Sequence, residues 1–204
     1  MAIQTFTSGQ ILTASDTNTY LANSGSVAIV PSSVTNGSVS AGTASATANA
    51  GVSSISLLGV FSSTYDSYRV VISNLTMSGN TSATSMYAKM HDGVNPASSG
   101  YNYGVTLIDM TVGTVTSAKG IAQTTGVLIG TGTGDKFGTV FDVVNPNFAT
   151  HTLFPNLSLM QISTGYTGTG SGMHQISTAY TGIQILPSSG TITGGTITVY
   201  GYRK

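Results

Sequence analysis

Six aspartates, three histidines and no glutamate or cysteine set the limits on the chemistry available to this chain. General acid–base work needs ionisable groups within hydrogen-bond reach of each other or of a substrate. The carboxylates are Asp16, Asp66, Asp92, Asp109, Asp135 and Asp142. Asp92 precedes a glycine and Asp135 ends a glycine-rich run, so both read as turn residues. Asp66 stands just before a predicted strand, where its side chain can hold a turn by accepting backbone N–H bonds. Asp109 and Asp142 fall inside predicted strands, on opposite parity to Ile108 and Val143, and are the pair a glycan-active hydrolase would have to use. His91, His151 and His174 lack HExxH or HxH spacing, so they read as structural histidines and no metal site is expected. Without cysteine there is no thiolate nucleophile, thiolate metal site or disulfide. GxSxG is absent. Gly130-Thr131-Gly132-Thr133-Gly134 has no GK[ST] ending and leads through Asp135-Lys136-Phe137 into a strand, so it reads as a surface turn. No catalytic residue and no cofactor is assigned, and the chain reads as a non-enzyme.

The aromatic residues are the remaining candidates. Tyrosine beside Asn, Ser and Thr suits sugars, because the ring packs C–H surface while amides and hydroxyls bind hydroxyl groups. Tyr101 and Tyr103 share one strand face, as do Tyr200 and Tyr202. Tyr101, Tyr103, Tyr166 and Tyr180, beside glycine-rich turns, are taken as ligand-binding candidates; the terminal pair is assigned to packing.

Three zones must position these residues. Residues 1–25 form an attachment segment in which Thr13 followed by Asp16 has the form of a capping box. This predicts a helix of two or three turns that needs docking, since it would be marginal alone; Ile11, Leu12, Tyr20 and Leu21 are its candidate contact residues. Residues 26–53 are rich in Ser, Thr and Ala, with enough β-branching at Val27, Ile29, Val34 and Val39 to predict an extended arm carrying one or two edge strands. Residues 54–204 read as all-β. Tyr68, Val70 and Ile72 share one face, and Met86, Ala88 and Met90 alternate with Tyr87, Lys89 and His91. Further strands are predicted at 105–110, 125–129, 137–144, 157–162, 181–186 and 196–202. Eight or nine short strands separated by turn signals imply a jelly-roll-like β-sandwich. Gln161-Ile162-Ser163-Thr164 recurs as Gln175-Ile176-Ser177-Thr178. With Gly170-Ser171-Gly172 between them, the repeats predict a hairpin with matched flanks.

Composition narrows the function classes. Charged residues make up 6% of the chain, against about 25% in an ordinary domain. Net charge is zero and no Lys/Arg cluster occurs, so nucleic acid is not an expected partner. Zero net charge permits close contact between copies. No 18-residue apolar stretch occurs, so no membrane insertion is expected.

Phe6-Thr7-Ser8-Gly9-Gln10-Ile11-Leu12-Thr13-Ala14 resembles the opening phrase F-x-x-G-Q-x-L-T-A of many tailed-bacteriophage tail and fibre proteins. Tyr65-Asp66-Ser67-Tyr68-Arg69-Val70-Val71-Ile72 resembles the first core strand of a phage structural β-sandwich domain, and residues 190–202 its last. The resemblance implies a virion component assembled in the host cytoplasm, usually a homotrimer, whose N-terminal segment joins other virion proteins. It implies no catalytic residues. A short tail fibre or receptor-binding protein recognising host surface polysaccharide is the leading expectation. A capsid decoration, head fibre or tail adaptor without receptor binding is the alternative.

Overall fold

A computed structural model of the chain describes residues 25–40, 43–78, 84–132, 136–161 and 165–202. The expected N-terminal helix, with Ile11, Leu12, Tyr20 and Leu21, lies outside the described residues, as does Asp135. Four short strands come first: β1 Ser26–Ile29, β2 Ser33–Thr35, β3 Gly37–Val39 and β4 Ser45–Ala48. Then follow β5 Ile55–Leu58, β6 Ser67–Ser78, β7 Thr84–His91, β8 Tyr101–Asp109, β9 Val115–Gln123 and β10 Val127–Gly132. The last five are β11 Lys136–Val144, β12 Thr152–Gln161, β13 Tyr166–His174, β14 Gly182–Pro187 and β15 Thr191–Tyr202. No helix occurs among the described residues, so none there is long and apolar enough to cross a membrane.

The strands form two antiparallel sheets packed as a sandwich. The ten-stranded sheet runs β3-β4-β15-β6-β11-β12-β13-β8-β9, with β1 also on β15; the five-stranded sheet runs β10-β7-β14-β5-β2. Alternation explains the core. In β6, Tyr68, Val70 and Ile72 are buried while Arg69 and Ser73 on the other parity are exposed. They meet Met86, Ala88 and Met90 of β7 and Ile183 and Ile185 of β14 within one apolar cluster. Phe141, Phe154, Leu157, Ile197 and Val199 extend that cluster along the larger sheet. The Tyr68 hydroxyl, though buried, is satisfied by the Ser62 backbone, accepting from its N–H at 2.7 Å and donating to its carbonyl at 2.8 Å.

Three local expectations fail for identifiable reasons. Residues 26–48 supply four strands rather than one or two, as β4 pairs alongside β15 and turns Ala46 and Ala48 into the core. Gly170-Ser171-Gly172 is not a reversal but the middle of β13. A Cβ on Gly172 would approach Val127 Cγ1 of the opposing sheet to 2.8 Å, so glycine serves close packing there instead of turning. The repeats consequently do not flank a hairpin: the second copy is the connection from β13 to β14, which crosses between sheets. Gly130, placed in a surface turn by its neighbours, belongs to β10 and packs directly against the Phe137 ring.

Candidate functional site

The four tyrosines chosen as ligand contacts do not converge on a surface. Tyr101 and Tyr103 occupy inward positions of β8, in step with buried Val105 and Leu107. Tyr101 is fully buried and accepts the Met90 N–H at 2.8 Å. Its ring centroid lies 4.4 Å from that of His174, which lies 5.1 Å from that of Tyr180. Tyr101 and Tyr180 are therefore core residues, and burial raises both hydroxyl pKa values. Tyr103 and Tyr166 are half-buried and pack against the same core. For Tyr101 and Tyr180 the neighbouring glycines gave a false surface signal, whereas Tyr103 also borders a surface depression beside Asn102 and Gly104. His174 is also buried, with Nε2 2.9 Å from the Ser99 carbonyl, and burial lowers its pKa.

The aspartates are likewise dispersed. Asp92 holds its turn by accepting the N–H groups of Val94 and Asn95 at 2.7 and 2.6 Å. Asp109, at the end of β8, accepts those of Thr111 and Val112 at 2.8 and 3.3 Å. Asp142 lies on β11, three strands from β8. Three spacings of about 4.8 Å and some five residues of rise separate the two carboxylates by roughly 20 Å. A glycosidase pair needs about 5–9.5 Å, so these two cannot act together. Among the described residues, no three His or Asp side chains group as metal ligands.

What the fold does assemble is a polar band across the outer face of the ten-stranded sheet. Arg69 of β6 is paired with Asp142 of β11 in the register and grips it twice, Nε–Oδ1 at 2.9 Å and Nη2–Oδ2 at 3.2 Å. Asn156 of β12 donates to Asp142 Oδ2 at 3.0 Å. Burial works to raise the Asp142 pKa, but the hydrogen bonds from Arg69 and Asn156 outweigh it and hold the carboxyl below its ordinary value. The guanidinium carbon lies 5.6 Å from the Tyr202 ring centroid, within cation–π range. The pair is asymmetric: the Arg69 side chain is 46% exposed and that of Asp142 12%. Asp142 is thus an anchor, and Arg69 is the part presented to solvent, with Nη1 unused by the carboxylate.

The band continues in both directions. Tyr200 pairs with Arg69 on one side. On the other, Pro155 and Asn156 form a bulge opposite Ser171 of β13, which pairs with Gly104 of β8, itself paired with Lys119 of β9. One outward position per strand therefore runs from β15 to β9, about 29 Å at roughly 4.8 Å per strand. At the β13–β8–β9 end the sheet is hollowed by two adjoining depressions of about 680 and 360 Å³, which share Gly104, Lys119 and Ser171. Reading the sequence assigned Tyr200 and Tyr202 to packing. The inward side of β15 is carried by Ile197 and Val199, and the tyrosines fall on the opposite parity, toward this band.

No family model and no curated protein matches the chain. Among solved structures, it is similar to the CBM2 module of the evolved Dit of Lactobacillus casei BL23 phage J-1. That match has 9% identity and a TM-score of 0.38, covering 82% of this chain and 80% of the other.

Proposed function

We propose that this protein is a structural component of a bacteriophage particle that attaches to the host by binding surface polysaccharide on the outer face of its ten-stranded sheet. The observation carrying this reading is the preorganised band: an arginine fixed by a largely buried aspartate, set over the Tyr202 ring and flanked by Tyr200 and Asn156. Fixing these groups before binding lowers the ordering cost of recognition. A guanidinium, an amide and tyrosine faces are the groups that recognise a polyhydroxylated chain. The resemblance of residues 6–14 to phage tail and fibre openings supports a virion setting. A homotrimer would multiply weak single sites through avidity. Catalysis is not part of the proposal, since Asp109 and Asp142 stand too far apart to cooperate.

A second reading, a decoration or adaptor protein, draws on a different observation. Ile108, Met110, Val112 and Val115 at the β8–β9 hairpin are all exposed large apolar residues, as a protein-docking site would require. The two readings separate experimentally. The full chain should bind host envelope polysaccharide or members of a glycan array. Arg69→Ala and Tyr202→Ala should each weaken that binding about tenfold, the scale of a lost hydrogen bond to a charged group or a lost ring contact. Binding to none of these glycans, with the protein folded, would shift the assignment to decoration.

A further inference from the structure

We propose that the hollow bounded by β13, β8 and β9 is a subsite for an acidic segment of the polysaccharide, with Lys119 as its anion contact; this rests on the glycan-binding reading above. The floor is set by the sheet register. Ser171, Gly104 and Lys119 form one outward row and Thr169, Thr106 and Ser117 the next. Gly104 contributes no side chain, and a Cβ built on it meets nothing within 4 Å. The hollow therefore exists because the central residue of the central strand is absent in bulk, while hydroxyls ring it. At its end Asn102 accepts the Ala122 N–H through Oδ1 at 2.7 Å, which leaves its NH₂ group as a donor at the edge. Ile121 and Met173 border the same part with apolar surface. Hydroxyls, an amide and apolar patches in one open trough fit the alternating polar and C–H faces of a sugar or polyol chain.

Charge sharpens the ligand class. Lys119 borders both depressions and is exposed. Among the described residues the only ion pair joins Arg69 to Asp142, so Lys119 has no carboxylate partner there. Asp142 is committed to Arg69 and Asn156, and Asp109 is turned onto Thr111 and Val112. An uncompensated cation beside neutral hydroxyls selects a polyhydroxylated chain bearing a phosphate or a carboxylate. A single lysine is too little for nucleic acid, which demands clustered bases along its backbone.

The test compares full-length protein on three probes: poly(glycerol phosphate), polygalacturonate and neutral dextran. At least one anionic probe should bind more tightly than dextran, and its binding should weaken as salt is raised. Preference between the two anionic probes identifies phosphate or carboxylate as the source of charge. Lys119→Gln should lower affinity for the preferred probe about tenfold, while Lys119→Arg largely retains it. Gly104→Val sets its Cβ in open space on a backbone outside the left-handed region, fills the hollow, and should abolish binding with the urea midpoint unchanged or higher. Equal binding of anionic and neutral probes, or unaltered binding by both Lys119→Gln and Gly104→Val, overturns the subsite. If Arg69→Ala still weakens binding in that case, the polysaccharide-binding face stands without this subsite. Failure of all three probes overturns the subsite, and glycan-array binding then decides the broader reading by itself.

Discussion

One methyl group added at Gly170 or at Gly104 should have opposite effects, although the two glycines sit on adjacent strands one register step apart. Gly170 faces inward. A Cβ there would lie 2.5 Å from Val105 Cγ1, 2.9 Å from Val105 Cα, and closer still to the Gly104 carbonyl oxygen. Carbon atoms in good contact stand about 3.5–4.0 Å apart, so β13 and β8 would have to separate by roughly an ångström. The nearest obstacles include backbone, which cannot rotate aside. Overpacking of this kind costs about 2–3 kcal/mol. Loss of glycine's freedom in the unfolded chain offsets about 0.4–1 kcal/mol of it. Gly170→Ala should therefore lose about 1–2.5 kcal/mol, lowering Tm by roughly 3–8 °C for a chain of this size. Gly104 faces outward into open space, so Gly104→Ala should keep only the unfolded-state gain and raise Tm by about 1–3 °C. Urea denaturation with unchanged m-values would assign both effects to stability. Equal midpoints for the two variants, or a Gly170→Ala protein as stable as its parent, would refute the assignment of inward and outward faces on which the band and the hollow depend.

Two other tests address the buried polar groups. Tyr101→Phe leaves the Met90 N–H without its acceptor and should destabilise by about 1–3 kcal/mol, read as a lower urea midpoint; no change would mean that this hydrogen bond contributes nothing. Burial lowers the pKa of both His174 and His91, against a smaller opposing effect of Ser99 on the first and Asp92 on the second. The unfolded state then binds protons first as pH falls, so stability should be full above pH 6.5 and decline below it, by at most about 1.4 kcal/mol per pH unit per histidine. A urea midpoint that stays flat from pH 7.5 to 5.0 would contradict this.

The sequence made some elements plain and hid others, and the difference is physical. β7 alternates along Met86–His91, and β6 keeps its apolar residues Tyr68, Val70 and Ile72 on one parity despite Val71 on the other, so their buried faces could be read directly. β13 could not, because its inward positions are Gly168, Gly170 and Gly172, and glycine carries no hydropathy signal to distinguish a turn from a close approach. β9 is an edge strand with nearly every residue outside the core, so its pattern is weak. The same limit moved the candidate site. Tyr101 looked exposed from its glycine-rich surroundings, but its partners His174 and Met90 come from other strands. Arg69 and Asp142 stand 73 residues apart and meet only through the β6–β11 register. Each was visible as a residue; their pairing was a property of topology.

The band draws outward residues from each strand it crosses, while the neighbours of each β6, β8 and β15 contributor in sequence point into the core. Under the proposed polysaccharide-binding role, recognition and folding are therefore written on alternate letters of the same strands. Of Tyr200, Ser171, Gly104 and Lys119, changes at the first can accumulate nearly independently of the rest, which lie four or more strand spacings away, whereas the other three are register neighbours and couple to one another. Arg69 and Asp142 must change together, because either alone leaves a charge unanswered. A library randomised at those four outward positions, with the Arg69–Asp142 pair held constant, would sample new binding preferences on an unaltered sandwich.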